Sequence, residues 1–174
     1  EMYCKADIQN RYEWKKYQDF AEIPPQEIYE AIGIIISIEA PISIKVLTYR
    51  LLEIAGIARA GSKITQLIEQ YLKRMFQNKK CLVKENFVWN IQNNNLIARN
   101  RMNVPSNEKK LELIAPDEIQ QAFIQTIKNA LRITLPDCKV EVARLLGFSR
   151  VTSQMQDILD LQFAKLKRAK KLTV

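Results

Sequence analysis

GIARAGSKI, residues Gly56–Ile64, and GFSRVTSQM, residues Gly147–Met155, place Gly, Arg and Ser at the same positions of two nonamers that lie 91 residues apart. The offset holds well beyond them without a gap. Pro25 pairs with Pro116, Glu27 with Glu118, Ile28 with Ile119, Ala31 with Ala122, Ile42 with Ile133 and Lys79-Lys80 with Lys170-Lys171. Residues 23–83 therefore run in register with residues 114–174. A duplicated unit of about 60 residues is the simplest account of such a pattern.

Each copy informs the other. EIYEAIGIIISI alone is rich enough in β-branched residues to be a strand. Its counterpart EIQQAFIQTIKNAL has a helical period, with Ile119, Ala122, Phe123 and Ile127 on one face. Both segments open with Pro and then Glu, in PPQE and APDE, which is a helix N-terminus signal. A first helix is expected over 25–39 and again over 116–131. In the second helix, Ile44, Leu47, Leu51 and Ile54 are matched by Leu135, Cys138, Val142 and Leu145. Cys138 takes the core slot that Leu47 fills, and reads as a buried structural thiol.

Gly56 and Gly147 stand where a helix C-terminus takes a left-handed residue. The third helix then buries Ile64, Leu67, Ile68, Leu72 and Met75, matched by Met155, Ile158, Leu159, Phe163 and Leu166. KKCLVKENFVW reads as a hairpin, with 81–83 and 87–89 flanking a polar turn at 84–86. The expected fold is mostly α with small β-hairpins: two tandem winged-helix-like units, 23–90 and 114–174. The second ends at KKLTV with only the first strand of its hairpin. Residues 1–22, carrying Tyr3, Tyr12, Trp14, Tyr17 and Phe20, are expected to form a helical extension over the first unit. Residues 91–113 read as a polar linker in which LIARNRM is a candidate strand.

The 174 residues are 47% hydrophobic and 26% charged, the balance of a soluble globular protein. The longest apolar run, IGIIISI, is too short to span a bilayer, and no signal-peptide pattern opens the chain. No membrane partner is expected. A first residue of Glu rather than Met leads us to expect a segment of a longer protein. Cys4, Cys81 and Cys138 show no CxxC spacing, so neither a zinc ribbon nor a disulfide framework is available, and a reducing cytoplasmic setting fits best. There is no histidine, which removes the commonest general base and most zinc sites. No catalytic residue, metal or cofactor can be named, and the expected role is non-catalytic.

A net charge of +8 and a pI near 9.4 favour an anionic partner, nucleic acid foremost. The first copy suits duplex DNA. Arg59, Ser62, Lys63 and Gln66 lie at the start of its third helix, Lys73 and Arg74 further along it, and Lys79, Lys80 and Lys84 on its hairpin. In a helix-turn-helix that helix enters the major groove while the hairpin touches backbone. Arg and Lys neutralise phosphates, and Ser and Gln donate to backbone or base edges. Arg150 is the counterpart of Arg59. Other roles stay open: Arg59, fixed at one place in both copies, also suits a brace of its turn, and Lys79 and Lys80 also suit a solvated hairpin. The second copy presents Gln154, Gln156, Asp157 and Asp160 on its third helix, and aspartates repel phosphate. The alternative function is a scaffold that docks against other domains or a protein partner.

The stretches IPPQEIYEAI, EAPISIKVLTYRLLEIAGIARAGSKI, FVW, IAPDEIQQA and ARLLGFSRVTSQM resemble a known family. It is the uncharacterised domain that closes large bacterial superfamily I DNA/RNA helicase-like proteins, often beside a Vsr-like nuclease domain. The resemblance runs from Ile23 past Met155. It implies an accessory domain whose partners include the other domains of a helicase-like parent. The ATPase and nuclease motifs lie elsewhere in such proteins; this chain carries neither a Walker A loop nor an acidic nuclease constellation.

Overall fold

The computed structural model describes residues 1–92, 96–130 and 132–169. These contain six α-helices and one three-stranded antiparallel sheet. The chain divides into two compact units, the first Cys4–Asn94 and the second Glu1–Tyr3 together with Asn95–Val174.

In the first unit the order is α1 (Pro25–Glu39), β1 (Ile42–Ser43), α2 (Ile44–Ala55), α3 (Ser62–Gln77), β2 (Leu82–Lys84) and β3 (Phe87–Trp89). Pro25 opens α1, where its missing N–H costs no helical bond. The β-branched run of α1 is helical because Ile28, Ala31, Ile32 and Ile35 are all fully buried at helical spacing. Each buried Ile contributes about 1.5–3 kcal/mol, against a propensity deficit of a few tenths. Ser43 closes β1 and also caps α2, its Oγ accepting from Val46 N–H at 3.2 Å. Gly56 ends α2 at φ 69°, as its place in the nonamer requires.

β3 is the central strand, paired with β1 at Ile42↔Val88 and with β2 at Val83↔Val88. Glu85 and Asn86 form the turn, both left-handed (φ 50° and 65°), the backbone that matches the twist of a two-residue hairpin. The first strand thus sits one residue later than the expected 81–83, while the second occupies the expected 87–89, because the turn takes two residues and not three. Cys81 is instead buried ahead of the strand. β1 was not expected at all; two residues carry no period of their own.

A helical extension is expected over residues 1–22, but the segment forms only two 3-10 turns, Trp14–Lys16 and Phe20–Glu22. Its buried residues, Ala6, Ile8, Trp14 and Phe20, are spaced for an irregular arm and not for a helix. Asp19 and Glu22 close the second turn with a capping box.

The second unit holds α4 (Pro116–Asn129), α5 (Leu135–Leu145) and α6 (Ser153–Arg168) around Ile119, Phe123, Cys138, Val142, Leu146 and Leu159. Cys138 is 2% exposed, in keeping with a structural thiol, and burial raises its pKa. Leu146, not Leu145, carries the full burial at the end of α5, while Leu135 at its start is exposed. Gly147 follows at φ 96°. LIARNRM is not a strand: only an isolated bridge joins Asn100 to Met2. Arg99 and Arg101 are drawn to a buried carboxylate instead. The expected last residue of the α4 segment, Leu131, and the terminal KKLTV with Lys170 and Lys171 lie outside the described residues.

Candidate nucleic-acid interface

Helix α3 buries Ile68, Tyr71, Leu72 and Met75 along one face. At 3.6 residues per turn the opposite face carries Ser62, Lys63, Gln66, Lys73 and Arg74, all exposed. Glu69 is the acidic residue at the edge of that face. No ion pair among the described residues engages Lys63, Lys73 or Arg74. The N-terminus of α3 follows Gly61, which offers no side chain to cap it. Arg59 lies in the turn before α3, exposed, and its guanidinium engages no partner among the described residues. The turn is closed by its own backbone, with Ile57 N–H donating to Leu52 C=O at 2.9 Å.

The candidate cations do not form one cluster. A 16-residue helix is about 24 Å long, and Lys79 and Lys80 stand beyond its far end. Lys79 is left-handed (φ 53°) and its N–H donates to Phe76 C=O. Both lysines line a recess of about 310 Å³ beside Gly33 and Ser37 of α1 and Asn90 and Gln92 after β3. They are therefore at the base of the hairpin, where the sequence placed them on the hairpin itself. Lys84 closes β2 next to the turn and is exposed.

In the second unit Arg150 is exposed in the α5–α6 turn, the place of Arg59. The exposed face of α6 carries Gln154, Asp157, Leu161, Lys165 and Arg168. Asp160 is paired with Lys139 at 2.6 Å, and Leu161 is 54% exposed. This face is mixed in charge where that of α3 is basic.

Sequence reasoning missed the buried polar groups. Glu118, in the first turn of α4, is fully buried and accepts from Arg101 Nη1 at 2.7 Å and Nη2 at 2.9 Å, from Arg99 Nη2 at 2.8 Å and from Arg99 backbone N–H at 3.0 Å. Burial is the largest influence on its pKa and raises it. The Arg101 charge and the hydrogen bonds from Arg101 and Arg99 together outweigh burial, so the carboxyl titrates below the ordinary Glu range. Tyr3 lies over both guanidinium groups, 5.0 and 4.6 Å from the ring centre. In the first unit Glu27 accepts from Trp14 Nε1 at 2.8 Å. Buried Glu39 accepts from Arg50 Nε at 3.0 Å and from Ala6 N–H at 3.0 Å. In both units, then, glutamates of the opening helix hold the segment that precedes it. The only sequence signal for this was the Glu after Pro in PPQE and APDE, which also serves as a helix start.

Among the described residues no three His, Cys, Asp or Glu side chains gather to hold a metal, and no helix is long and apolar enough to cross a membrane. Residues 18–66 match a family model described as a protein of unknown function (DUF3320). No curated protein and no solved structure matches the chain.

Proposed function

We propose that the first unit is a winged helix, that the chain is a duplicated pair of such units, and that α3 binds duplex DNA. The observation that carries this is the exposed face of α3, with Lys63, Lys73, Arg74, Ser62 and Gln66 opposite its buried stripe and Arg59 in the turn before it. The element order α1-β1-α2-α3-β2-β3, with the sheet ordered β1-β3-β2, supports the winged-helix assignment. Duplication is supported by the helix starts, since α4, α5 and α6 begin 91 residues after α1, α2 and α3. In that arrangement the start of α3 faces the major groove and Lys84 approaches backbone. The chain acts without catalysis, as an accessory module of a helicase-like parent whose other domains carry out the chemistry.

The test is fluorescence anisotropy of the chain with labelled duplex and single-stranded oligonucleotides at several salt concentrations. Duplex binding that weakens steeply with salt is expected. Absence of salt-dependent duplex binding refutes it and favours a second reading, a protein-docking scaffold. That reading has its own support in Ile38, Phe76, Leu82 and Ile91 of the first unit, each 44–47% exposed.

A further inference from the structure

We propose that the second unit holds an unpaired nucleotide of a nucleic-acid strand in the cavity between the α5–α6 turn and the segment that precedes α4. The cavity measures about 470 Å³, within the range of sites that enclose a small molecule. Leu111, Met155 and Ile158 form an apolar floor, and half-buried Phe148 stands at the wall. Lys109, Lys110 and Arg150 also line it, against Glu112 as the acidic lining residue. Lys109 Nζ reaches the Met102 carbonyl at 3.4 Å. Neither Lys110 nor Arg150 is engaged in an ion pair among the described residues.

An aromatic wall and apolar floor beside surplus positive charge fit a base joined to phosphates. The base covers Phe148 and the floor, and the phosphodiesters take the cations. A paired base cannot reach such a floor, because its faces are already stacked within the duplex. A peptide of acidic residues alone satisfies the cations and leaves the floor wet. Positions 91 earlier hold Gln18, Asp19 and Ile57 where the second unit has Lys109, Lys110 and Phe148. Arg150 has its counterpart in Arg59, whereas the two lysines and the phenylalanine of the lining are not among the features that the two halves share. This proposal has the ligand class of the α3 function but none of its residues, so duplex and single-strand probes separate failure of the one from failure of the other.

The experiment measures the whole chain against a short labelled oligothymidylate and a strand of equal length made of abasic sites. The abasic strand should bind about fivefold or more weakly, the loss of one base–aromatic stack. Phe148→Leu keeps an apolar side chain and should abolish that preference without changing duplex binding. Lys110→Gln with Arg150→Gln, both at exposed positions, should lower the single-strand salt slope by about 1.4. Circular dichroism checks the fold of each variant. Photocrosslinking an iodouridine-bearing strand to the unaltered chain needs no variant, and should label the peptide that contains Phe148. Equal affinity for the abasic strand, a base preference that survives Phe148→Leu, or crosslinks confined to residues 4–92 overturns the proposal.

Discussion

Gly56 and Gly147 hold the same place in two similar nonamers, yet a methyl group added at each meets different neighbours. At Gly56 it lies 3.2 Å from Cγ of the flexible Lys15 side chain; at Gly147 it lies 2.5 Å from Met102 N and 2.6 Å from Arg101 N, which are backbone. Gly56→Ala should cost about 1–2 kcal/mol, the left-handed strain alone. Gly147→Ala adds overpacking against a chain that cannot rotate away, for about 3–5 kcal/mol. Urea unfolding of the two variants checks the order, and equal losses would contradict it. Glu118 sets a second contrast. Its folded pKa is lowered from the ordinary value of about 4.3. The stability it contributes is therefore complete above the unfolded value and lost as pH falls through the folded one. Glu118→Gln should cost about 3–5 kcal/mol at neutral pH, because buried Arg101 loses the carboxylate that accepts from both its Nη atoms. It should also flatten the acid limb of the stability–pH curve; a limb as steep as in the unaltered protein would remove Glu118 as its source.

At the scale of the element, α3 separates two groups of cations that look alike in the sequence. Lys79 and Lys80 stand beyond the far end of α3, about 24 Å from its start. If α3 binds duplex DNA, Arg59→Gln with Lys63→Gln should reduce the salt slope by about 1.8. Lys79→Gln with Lys80→Gln, at the base of the hairpin, should change it much less. Equal changes from the two pairs would show that binding follows net charge and not the α3 face. The hairpin turn offers a check on stability. Glu85 is left-handed (φ 50°) without being Gly or Asn. Glu85→Gly should stabilise the first unit by about 1 kcal/mol, read as a rise in its urea midpoint.

At the scale of the whole molecule, the chain order is not the order of the units. Glu1–Tyr3 belong with the second unit. Tyr3 N–H donates to Asn100 C=O at 2.9 Å, and Asn100 N–H donates to Glu1 C=O at 2.7 Å. Removal of residues 1–3 takes away those bonds and the ring over Arg99 and Arg101. Hydrogen exchange should then speed up around 99–101 and the first turn of α4, with α1, α2 and α3 little changed. Loss of protection confined to the first unit would refute that link. Each helix of the two units has its own buried stripe.

The positions of the helices were legible in the sequence by itself. Period, an opening Pro, and a glycine after the second helix act within about four residues of one another, and comparison with the clearly helical EIQQAFIQTIKNAL removed the strand reading of IGIIISI. Exposure of Ser62, Lys63 and Gln66 followed from the same period, since the face opposite a buried stripe must meet water. Tertiary structure decided what depends on residues far apart in the chain. β1 exists because Ile42 and Ser43 meet β3, and Glu118 is a buried acceptor because the 99–101 segment reaches it. Lys79 and Lys80 leave the hairpin because the backbone turns left-handed at Lys79. The cavity beside Phe148 forms because residues 109–112 are brought against the start of α6. None of these is decided by a local signature, because burial and long-range pairing are energies of the folded chain and not of any short stretch of it.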